Sequence, residues 1–240
     1  MNCRQVSCES SGQFDSEAYR IFFFKDTQRI SPWHDIPYKS VGSHTKRGEY
    51  TCVIEIPKET EHKLEMCKKD PLNPIRHDLT RDGDLRKYPY PIRWNYGFIP
   101  QTWEDPSFME KDVENLYGDD DPIDVVEIGS VIHNSGDIVR VKVLGAFSMI
   151  DDGELDWKIV VVDSSDPIAS LIDSDEDVQT YIDASTLHDI KEWFRNYKKT
   201  TARVPTRFGH QEMFVNIQTA IDAIETTHIH WKQKYEIVKD

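Results

Sequence analysis

The order of the predicted elements limits the possible folds of this chain more than any other feature of its sequence. Short segments rich in β-branched and aromatic residues come first, and segments with helical periodicity come last. The predicted strands are residues 19–24, 52–56, 62–66, 125–128, 139–144 and 157–162. Short strands followed by helices favour a mainly β fold, a small closed barrel with α-helices packed on its outside.

The spacing of apolar residues supports both kinds of element. Between 139 and 144, valines at every second position alternate with Arg140 and Lys142, which is typical of a half-buried strand. Nearer the C-terminus, two sets of apolar residues follow the period of an amphipathic helix. The first set is Leu187, Ile190, Phe194 and Tyr197, and the second is Phe214, Ile217, Ile221, Ile224 and Trp231, with His228 on the same face.

Composition and charge narrow the class of protein. The chain has 240 residues, 38% of them hydrophobic and 30% charged, which is ordinary for a folded globular protein. Its net charge of -14 argues against general binding to nucleic acid or to anionic membranes, because both need basic patches. No apolar run approaches the length of a transmembrane helix. We therefore expect neither nucleic acid nor a membrane as a partner.

The terminal segments and the cysteines predict the compartment and the domain boundaries. Cysteines occur at 3, 8, 52 and 67 without a C-x-x-C pair, so free thiols in a reducing compartment are expected. Residues 1–16 are polar and lack the apolar region of a secretory signal. These features predict a cytoplasmic protein with a disordered tail at 1–16, a single domain at 17–236 and a short tail at 237–240.

The stretch GDDDPIDVVEIG, residues 118–129, concentrates negative charge at the start of a predicted strand. Its aspartates are Asp119, Asp120, Asp121 and Asp124. Two unit charges about 4 Å apart repel by roughly 4 kcal/mol near a protein surface, so such a cluster needs either full solvation or cations. An extended backbone would place Asp119 and Asp121 on one face. A solvated loop and a divalent-cation site both remain open on this pattern alone.

A second acidic stretch, MIDDGELDWKIVVVD at 149–163, contains the turn signal Asp-Asp-Gly. A hairpin there places Asp151 and Asp156 at the same rim, with Lys158 on the same face as Asp156, because side chains alternate along a strand. An ordinary acidic turn explains the same residues. Together with 118–129, however, the stretch would supply several carboxylates to a Mg²⁺ site, since Mg²⁺ prefers oxygen ligands.

The segments 52–56 and 62–66 are joined by Pro-Lys-Glu-Thr-Glu and predict a further hairpin. Lys63 and Glu65 would then share one strand face, with a cation beside a carboxylate. The solvated surface of an edge strand explains this pair equally well. Lys63 and Glu65 become candidate site residues only when they are considered together with the acidic stretches.

Further basic and phenolic residues occur in sequence contexts of their own. Arg86 lies in DGDLR and Tyr96 in the aromatic run WNYGFIPQTW, whose Trp and Phe residues are expected in the core. Tyr197 and Lys198 close the first predicted helix. Core packing is the simplest interpretation of Tyr197, because it continues the apolar stripe of that helix.

These segments together resemble the soluble family I inorganic pyrophosphatases, and they are most similar to the eukaryotic branch. The match runs from about residue 19 to residue 231 and is densest in VIEIPKETEHKLE (53–65), NYGFIPQTWEDP (95–106), GDDDPIDVVEIG (118–129), DDGELDWKIV (151–160), EWFRNYK (192–198) and ETTHIHWKQ (225–233). The resemblance implies an OB-like five-stranded β-barrel with peripheral helices. It also implies hydrolysis of pyrophosphate to two orthophosphates by a multi-metal mechanism.

The resemblance also implies a role for each candidate residue. Asp121 would be the general base that takes a proton from a metal-activated water. The implied metal ligands, direct or through water, are Asp119, Asp124, Asp151, Asp156, Glu65 and Glu55. The implied substrate-binding residues are Lys63, Arg86, Tyr96, Lys158, Tyr197 and Lys198, and the first three of these also count as catalytic. The implied cofactor is Mg²⁺, about three or four ions per active site, with Mn²⁺ or Zn²⁺ as substitutes.

The chain departs from the family pattern after the first predicted helix. Relatives carry an Ile/Val-Pro-Asp-Gly-Lys loop whose lysine reaches phosphate, whereas residues 199–203 read Lys-Thr-Thr-Ala-Arg. Arg203 takes the place of that lysine in a loop without its Pro and Gly. The Arg-Trp pair that relatives use in dimerisation is replaced by Lys58-Glu59. A homodimer is still the expected assembly.

Three other interpretations fit the sequence less well. DSDEDV at 173–178 begins like an EF-hand loop, but Val178 stands where that loop needs glycine and Ala184 where it needs glutamate. An OB-fold protein that binds single-stranded nucleic acid would explain the aromatic run, but the acidic net charge opposes it. An inactive relative would be free to lose catalytic carboxylates, and all of them are present. The sequence thus predicts a Mg²⁺-dependent inorganic pyrophosphatase.

Overall fold

The computed structural model describes residues 6–39, 48–198 and 206–236. Its strands are β1 (Val6–Ser11), β2 (Arg20–Lys25), β3 (Gln28–Ile30), β4 (Glu49–Ile56), β5 (Leu64–Met66), β6 (Ile75–His77), β7 (Asn95–Phe98), β8 (Met109–Glu110), β9 (Leu116–Tyr117), β10 (Asp124–Glu127), β11 (Ile138–Asp151), β12 (Glu154–Asp163) and β13 (Arg207–Phe208). The α-helices are α1 (Asp175–Tyr181), α2 (Ala184–Asn196) and α3 (Ile217–Trp231). Short 3₁₀ turns occur at Pro167–Leu171 and His210–Glu212, and a π turn occurs at Lys232–Glu236.

Five strands of the described chain close into a ring in the order β12, β10, β7, β4 and β11, because β11 also pairs with β12. β10 and β12 are parallel, and the other neighbours in this ring are antiparallel. Closure satisfies the backbone hydrogen bonds that an open sheet would leave unpaired at its edges. The prediction of a mainly β fold with a closed sheet and peripheral helices is therefore confirmed.

The long strand β11 closes the ring because it bends. Its first part pairs with β4 and its later part with β12, and the register shifts between Val143 and Gly145. Gly145 has a φ of +151°, and a Cβ there would lie 2.4 Å from the ring of Phe214. Only glycine fits this position. The bulge lets β11 continue to Asp151, well beyond the predicted end at 144.

Both faces of β12 are covered, which explains its uninterrupted run Ile-Val-Val-Val. Neighbouring side chains of a strand face opposite sides. Ile159 and Val161 belong to a core that includes Ile224 of α3. Val160 and Val162 belong to a second core that includes the buried residues of α2. The amphipathic faces predicted for the two helices are thus buried against the ring.

The helices begin at residues that cap them. Asp183 precedes α2, and its side chain accepts a hydrogen bond from the backbone N–H of Ser185. Asn216 caps α3 in the same way. Phe214 shares the periodicity of α3 but lies before its cap, where it packs on Phe147 with ring centroids 5.0 Å apart. The apolar spacing therefore predicted this helix correctly and its first residue wrongly.

The predicted hairpin of 52–56 with 62–66 is wrong. β4 pairs with β7 and with β11, and β5 pairs with β6, a strand that the sequence analysis left out. The two segments thus belong to different sheets. Glu55 still connects them, since its Oε1 accepts a hydrogen bond from the backbone N–H of Met66 at 2.6 Å.

The disorder expected for residues 1–16 is wrong for residues 6–16. β1 pairs antiparallel with β2 along its whole length. Phe14 then packs edge-on against the rings of Tyr19 and His77, at 5.1 Å in both cases. Polar composition did not reveal that β2 has a free edge, and this edge supplies the hydrogen bonds that order the segment.

Cysteines and helix lengths can also be compared with expectation. Cys8, Cys52 and Cys67 carry free thiols, as expected, and Cys3 lies outside the described residues. None of the helices in the described ranges has both the length and the apolar character to cross a membrane.

Candidate active site

A cavity of about 860 Å³ opens at the rim of the ring, where β10 and β12 begin and β11 ends. It is lined by Glu55, Lys63, Glu65, Arg86, Tyr96, Asp119, Asp121, Asp124, Asp151, Asp156, Lys158, Tyr197 and Lys198. These are all the residues that the sequence analysis named for metal or substrate binding. The structure brings them together, and their individual roles stay predictions. Arg203 and the rest of 199–205 lie outside the described residues.

A buried lysine stands in the acidic wall of this cavity. Asp124 opens β10 and lies opposite Lys158 of β12 in the parallel pair. The Lys158 ammonium lies 2.5 Å from an Asp124 oxygen and also pairs with Asp156. Tyr96 of β7 donates its hydroxyl hydrogen to the same Asp124 carboxylate. Ring closure therefore places the ends of three strands around one ammonium group.

The hairpin predicted at Asp-Asp-Gly is confirmed, and it brings Asp151 and Asp156 to one rim. Lys198, just after α2, forms an ion pair with Asp151. The hydroxyl of Tyr197 lies 3.5 Å from the same carboxylate. The Tyr197 ring also stacks on Trp193 with centroids 5.2 Å apart, so this residue combines core packing with a contact in the cavity.

The acidic stretch at 118–129 contains a turn at Asp120, where the sequence analysis assumed an extended backbone. Asp120 has a φ of +69°, in the left-handed region. The backbone N–H of Asp121 donates to Asp119 Oδ1 at 3.0 Å. Asp119 and Asp121 nevertheless both line the cavity. The prediction that they lie on one side is therefore correct, although it assumed an extended backbone.

Sequence reasoning missed Glu104, which lies in the middle of the acidic cluster. One of its carboxylate oxygens lies within 4.8 Å of one oxygen each of Asp119 and Asp156. One oxygen accepts a hydrogen bond from the backbone N–H of Trp157 at 2.9 Å, whereas Oε2 is buried without a partner. Glu104 directly follows the aromatic run WNYGFIPQTW. That run was interpreted as core, so the glutamate next to it was not recognised as a site residue. Only the fold shows that Glu104 faces the aspartates.

The basic wall of the cavity depends on a second residue that was missed, Asp78. Its Oδ2 lies 2.9 Å from Lys63 Nζ and 3.2 Å from Arg86 Nε. Lys63 also lies 3.3 Å from Glu65, so the predicted neighbourhood of these two is confirmed. Asp78 follows β6, which the sequence analysis left out, and its side chain is largely buried. One carboxylate therefore holds both cations at the cavity.

Burial and mutual repulsion raise the pKa of the clustered carboxyls. Burial, and then the neighbouring carboxylates, raise the pKa of Glu104 and of Asp119 well above the ordinary range. Burial also raises the pKa of Asp156 to about 7, although Lys158 acts to lower it. Burial acts to lower the pKa of Lys158, but Asp124 and Asp156 outweigh it and raise the pKa. The cluster therefore carries more carboxylates than its one lysine can neutralise.

The donor set fits a hard divalent cation. Mg²⁺ takes carboxylate oxygens and keeps several waters. Two buried carboxylate oxygens, Asp151 Oδ1 in the cavity lining and Glu104 Oε2 beside Asp119 and Asp156, have no hydrogen-bond partner among the described residues. A buried polar atom without a partner is costly, and coordination of a cation would remove that cost.

The comparison with protein families shows which family the chain belongs to. The family model described as inorganic pyrophosphatase matches residues 52–232, which include every lining residue discussed above. The chain belongs to the inorganic pyrophosphatase family. It is accordingly a hydrolase that cleaves inorganic pyrophosphate into two orthophosphates.

Individual relatives and solved structures agree with the family. The chain is 43% identical to soluble inorganic pyrophosphatase 6, chloroplastic, of Arabidopsis thaliana, over 95% of this chain and 74% of the relative. It is 40% identical to human inorganic pyrophosphatase, over 93% and 76%. The type I inorganic pyrophosphatase of Toxoplasma gondii superposes with a TM-score of 0.90 at 41% identity, covering 95% of this chain and 99% of that one.

One structural relative was solved with pyrophosphate. The N-terminally truncated vacuolar soluble pyrophosphatase of Trypanosoma cruzi, in complex with PPi, superposes with a TM-score of 0.88 at 33% identity. The alignment covers 97% of this chain and 92% of that chain. The similarity therefore extends over nearly all of that truncated chain.

The metal-free protein should lose stability as pH rises from about 4 to 7, by about 1 kcal/mol per pH unit. The folded pKa values of Glu104, Asp119 and Asp156 are raised, so the folded state binds more protons than the unfolded state in this window. The pKa values of His62 and His230 are lowered, chiefly by burial, and act in the opposite direction. We expect the three buried carboxyls to outweigh these two partly exposed imidazoles.

Thermal unfolding of protein treated with EDTA, at about pH 5.5 and about pH 7.5, measures this effect. Saturating Mg²⁺ should abolish the loss at the higher pH, because a bound cation favours the ionised carboxylates. A metal-free protein that becomes more stable between these two pH values would contradict the prediction.

Proposed function

We propose that the cavity binds inorganic pyrophosphate together with Mg²⁺ and that its residues carry out the hydrolysis. The main support is the convergence of carboxylate, lysine, arginine and tyrosine side chains in one cavity. Among the described residues, an oxygen of Asp151 in this cavity and an oxygen of Glu104 beside it have no hydrogen-bond partner. Pyrophosphate is strongly anionic and repels an incoming nucleophile. A site that cleaves it needs positive charge on the substrate and a base beside the water, and this cavity offers groups for both.

We assign the carboxylates of the acidic wall to the metal ions. Asp119, Asp124, Asp151, Asp156, Glu65 and Glu55 are the proposed ligands, direct or through water, and Glu104 joins them because of its position between Asp119 and Asp156. Bound Mg²⁺ would neutralise phosphate charge and make a water more acidic. The resemblance suggests about three or four ions, with Mn²⁺ or Zn²⁺ as substitutes.

We assign the general base to Asp121. Its side chain lines the cavity and is half exposed, so a water molecule can approach it. As a carboxylate it accepts the proton that the attacking water loses. The turn at Asp120 places the Asp121 backbone beside the proposed ligand Asp119, whose Oδ1 accepts a hydrogen bond from the Asp121 N–H.

We assign the remaining polar groups to the phosphates. Arg86 can bind two phosphate oxygens at once, and Lys63 beside it binds as a point charge. Tyr96 and Tyr197 can donate hydrogen bonds without adding charge. Lys158 and Lys198 are each held by the carboxylate of a proposed ligand, which keeps their ammonium groups at the cavity wall.

Phosphate release from pyrophosphate tests the proposal directly. Purified protein should release phosphate with Mg²⁺ and lose at least about a hundredfold in rate when excess EDTA removes the cation. Replacing the substrate by single-stranded nucleic acid should give neither hydrolysis nor binding at moderate salt. Equal rates with Mg²⁺ and with EDTA would overturn the assignment of the acidic wall to metal.

Assembly, location and domain limits are part of the proposal. The resemblance supports a homodimer, which sedimentation velocity would reveal as a species of twice the chain mass. The free thiols support a reducing compartment, and we propose the cytoplasm. The Arabidopsis and Chlamydomonas relatives are named chloroplastic, so microscopy of a fluorescent fusion is the test. The closed ring supports an OB-like barrel within one domain, and the pairing of β1 with β2 extends this domain to residues before 17.

A further inference from the structure

Asp120 differs from the other aspartates of its stretch in where it lies. Among the described residues, those lining the cavity include Asp119 and Asp121 but not Asp120. Its φ of +69° falls in the left-handed region, which costs energy for any residue other than glycine and costs least for Asn and Asp. Such a conformation persists only where its surroundings hold it. Contacts of Asp120 with neighbouring residues must therefore hold this conformation.

Three side chains contact Asp120, and none of the three lines the cavity. Trp103 Nε1 donates a hydrogen bond to Asp120 Oδ1 at 2.8 Å. Lys68 Nζ donates both to Asp120 Oδ2, at 2.9 Å, and to its backbone oxygen, at 2.7 Å. Lys234 lies 3.8 Å from Oδ1 and 3.5 Å from the centre of the Trp103 ring. The direction of the Asp120 side chain is thus fixed by several contacts at once.

Lys68 also contacts the proposed base. Its Nζ lies 2.8 Å from Asp121 Oδ1. An ammonium group has three N–H donors, and here three oxygens of two consecutive residues lie within reach of it. The Asp121 side chain is 52% exposed, so it would otherwise be free to change rotamer. A carboxylate bound through one oxygen keeps the other to accept a proton.

The backbone beneath this group is held from the opposite side. The N–H of Asp120 donates to Glu104 O at 3.0 Å, and the N–H of Glu104 donates to Asp121 O at 2.9 Å. The turn therefore lies between the Glu104 backbone and the Lys68 ammonium. The bonds to the Glu104 backbone and the Lys68 bond to Asp120 O together hold the turn, and Lys68 also sets the direction of the two side chains.

We propose that Lys68 and Asp120 are positioning residues that hold the Asp121 carboxylate in the direction needed for proton transfer. The proposal rests on the assignment of Asp121 as the base. Ion pairs with this degree of exposure contribute less than about 1 kcal/mol to stability, so the function of the pair lies in orientation. Misplacement of a catalytic group by about 1 Å can cost up to a hundredfold in rate.

The test compares Lys68→Met with Lys69→Met, a matched control in which the neighbouring exposed lysine is changed. Lys68→Met should lower kcat by about tenfold or more while KM for pyrophosphate changes less than about threefold. In metal-free protein, hydrogen exchange of the peptide covering 118–122 should become about tenfold faster. Lys69→Met should change neither quantity. Lys68→Arg, which keeps the charge and several donors, should recover most of kcat.

Several outcomes would overturn the proposal. One is unchanged hydrogen exchange at 118–122 in Lys68→Met. Another is an equal loss of kcat in Lys69→Met, or no recovery in Lys68→Arg. A third is a Lys68→Met protein that binds Mg²⁺ more tightly at full kcat, since this would mean that Lys68 merely competes with the cation for Asp121.

The same experiments distinguish a failure of this proposal from a failure of the proposed function on which it rests. A wild-type protein that releases no phosphate would refute the proposed reaction. An active Asp121→Asn variant would refute the base assignment and with it the catalytic purpose of Lys68. Hydrogen exchange in metal-free protein decides independently whether Lys68 holds the turn. Asp120→Asn, which keeps the left-handed tolerance and the acceptor for Trp103, should give intermediate exchange.

Discussion

Replacement of Asp121 by Asn should lower kcat for pyrophosphate hydrolysis by about a thousandfold. The amide has nearly the shape of the carboxylate but cannot accept the proton that water loses as it attacks. Asp121 is half exposed and does not support the core, so the variant should fold normally. Its Mg²⁺ binding should also remain close to that of the wild type, because the buried carboxylates stay in place.

Steady-state kinetics at saturating Mg²⁺ measures the loss of kcat. Calorimetric titration with Mg²⁺ measures separately whether metal binding is kept. Asp112→Asn is the matched control, because Asp112 is exposed and lies outside the cavity lining. A variant that keeps a tenth or more of the wild-type kcat would show that another group accepts the proton. Lost Mg²⁺ binding would instead make Asp121 a ligand.

Local chemistry explains which parts of this site could be predicted from the sequence. The Asp-Asp-Gly turn joins strands that are adjacent in the chain, so its residues alone specify a hairpin and place Asp151 beside Asp156. The crowded aspartates at 119–124 indicated either a cation site or a solvated loop, because they repel one another unless cations or water intervene. The resemblance then supplied the roles, which spacing alone had left open between site and surface.

Glu104 and Asp78 could not be found in this way. Each is a single acidic residue without acidic periodicity around it, and each gains its importance from contacts made by folding. Glu104 reaches the backbone of Trp157, 53 positions away. Asp78 meets Lys63 because β6 pairs with β5, and it meets Arg86 across the turn whose ends pair through Leu79 and Leu85. Contacts that depend on strand pairing leave no local sequence pattern.

The wrong hairpin at 52–66 has a similar origin. Alternation identifies a strand but not its neighbour, and proximity in sequence favours the nearest one. In the structure the pairing of β4 is decided by ring closure, which places it between β7 and β11. β11 pairs with it through residues 138–142 and continues along β12 past the bulge at Gly145, a feature that strand alternation does not reveal.

Lys158→Met should destabilise the metal-free protein by about 3–5 kcal/mol, the cost of breaking a buried ion pair from one side. The lysine side chain is 2% exposed, and it neutralises Asp124 and Asp156. Methionine fills much of the volume but leaves these carboxylates without their cation. For a domain of this size the loss corresponds to a fall in Tm of about 10 °C or more.

The decisive experiment measures the thermal unfolding of Lys158→Met and of Lys142→Met in two states, metal-free and loaded with Mg²⁺. Lys142 is also buried and ion-paired, with Asp173 at 2.9 Å, but it lies outside the lining of the cavity. Mg²⁺ should restore about half or more of the stability lost in Lys158→Met, because it supplies positive charge to the same carboxylates. It should restore none of the loss in Lys142→Met. Equal losses with and without Mg²⁺ in Lys158→Met would mean that Asp124 and Asp156 do not hold the cation, and the acidic wall would then need a different assignment.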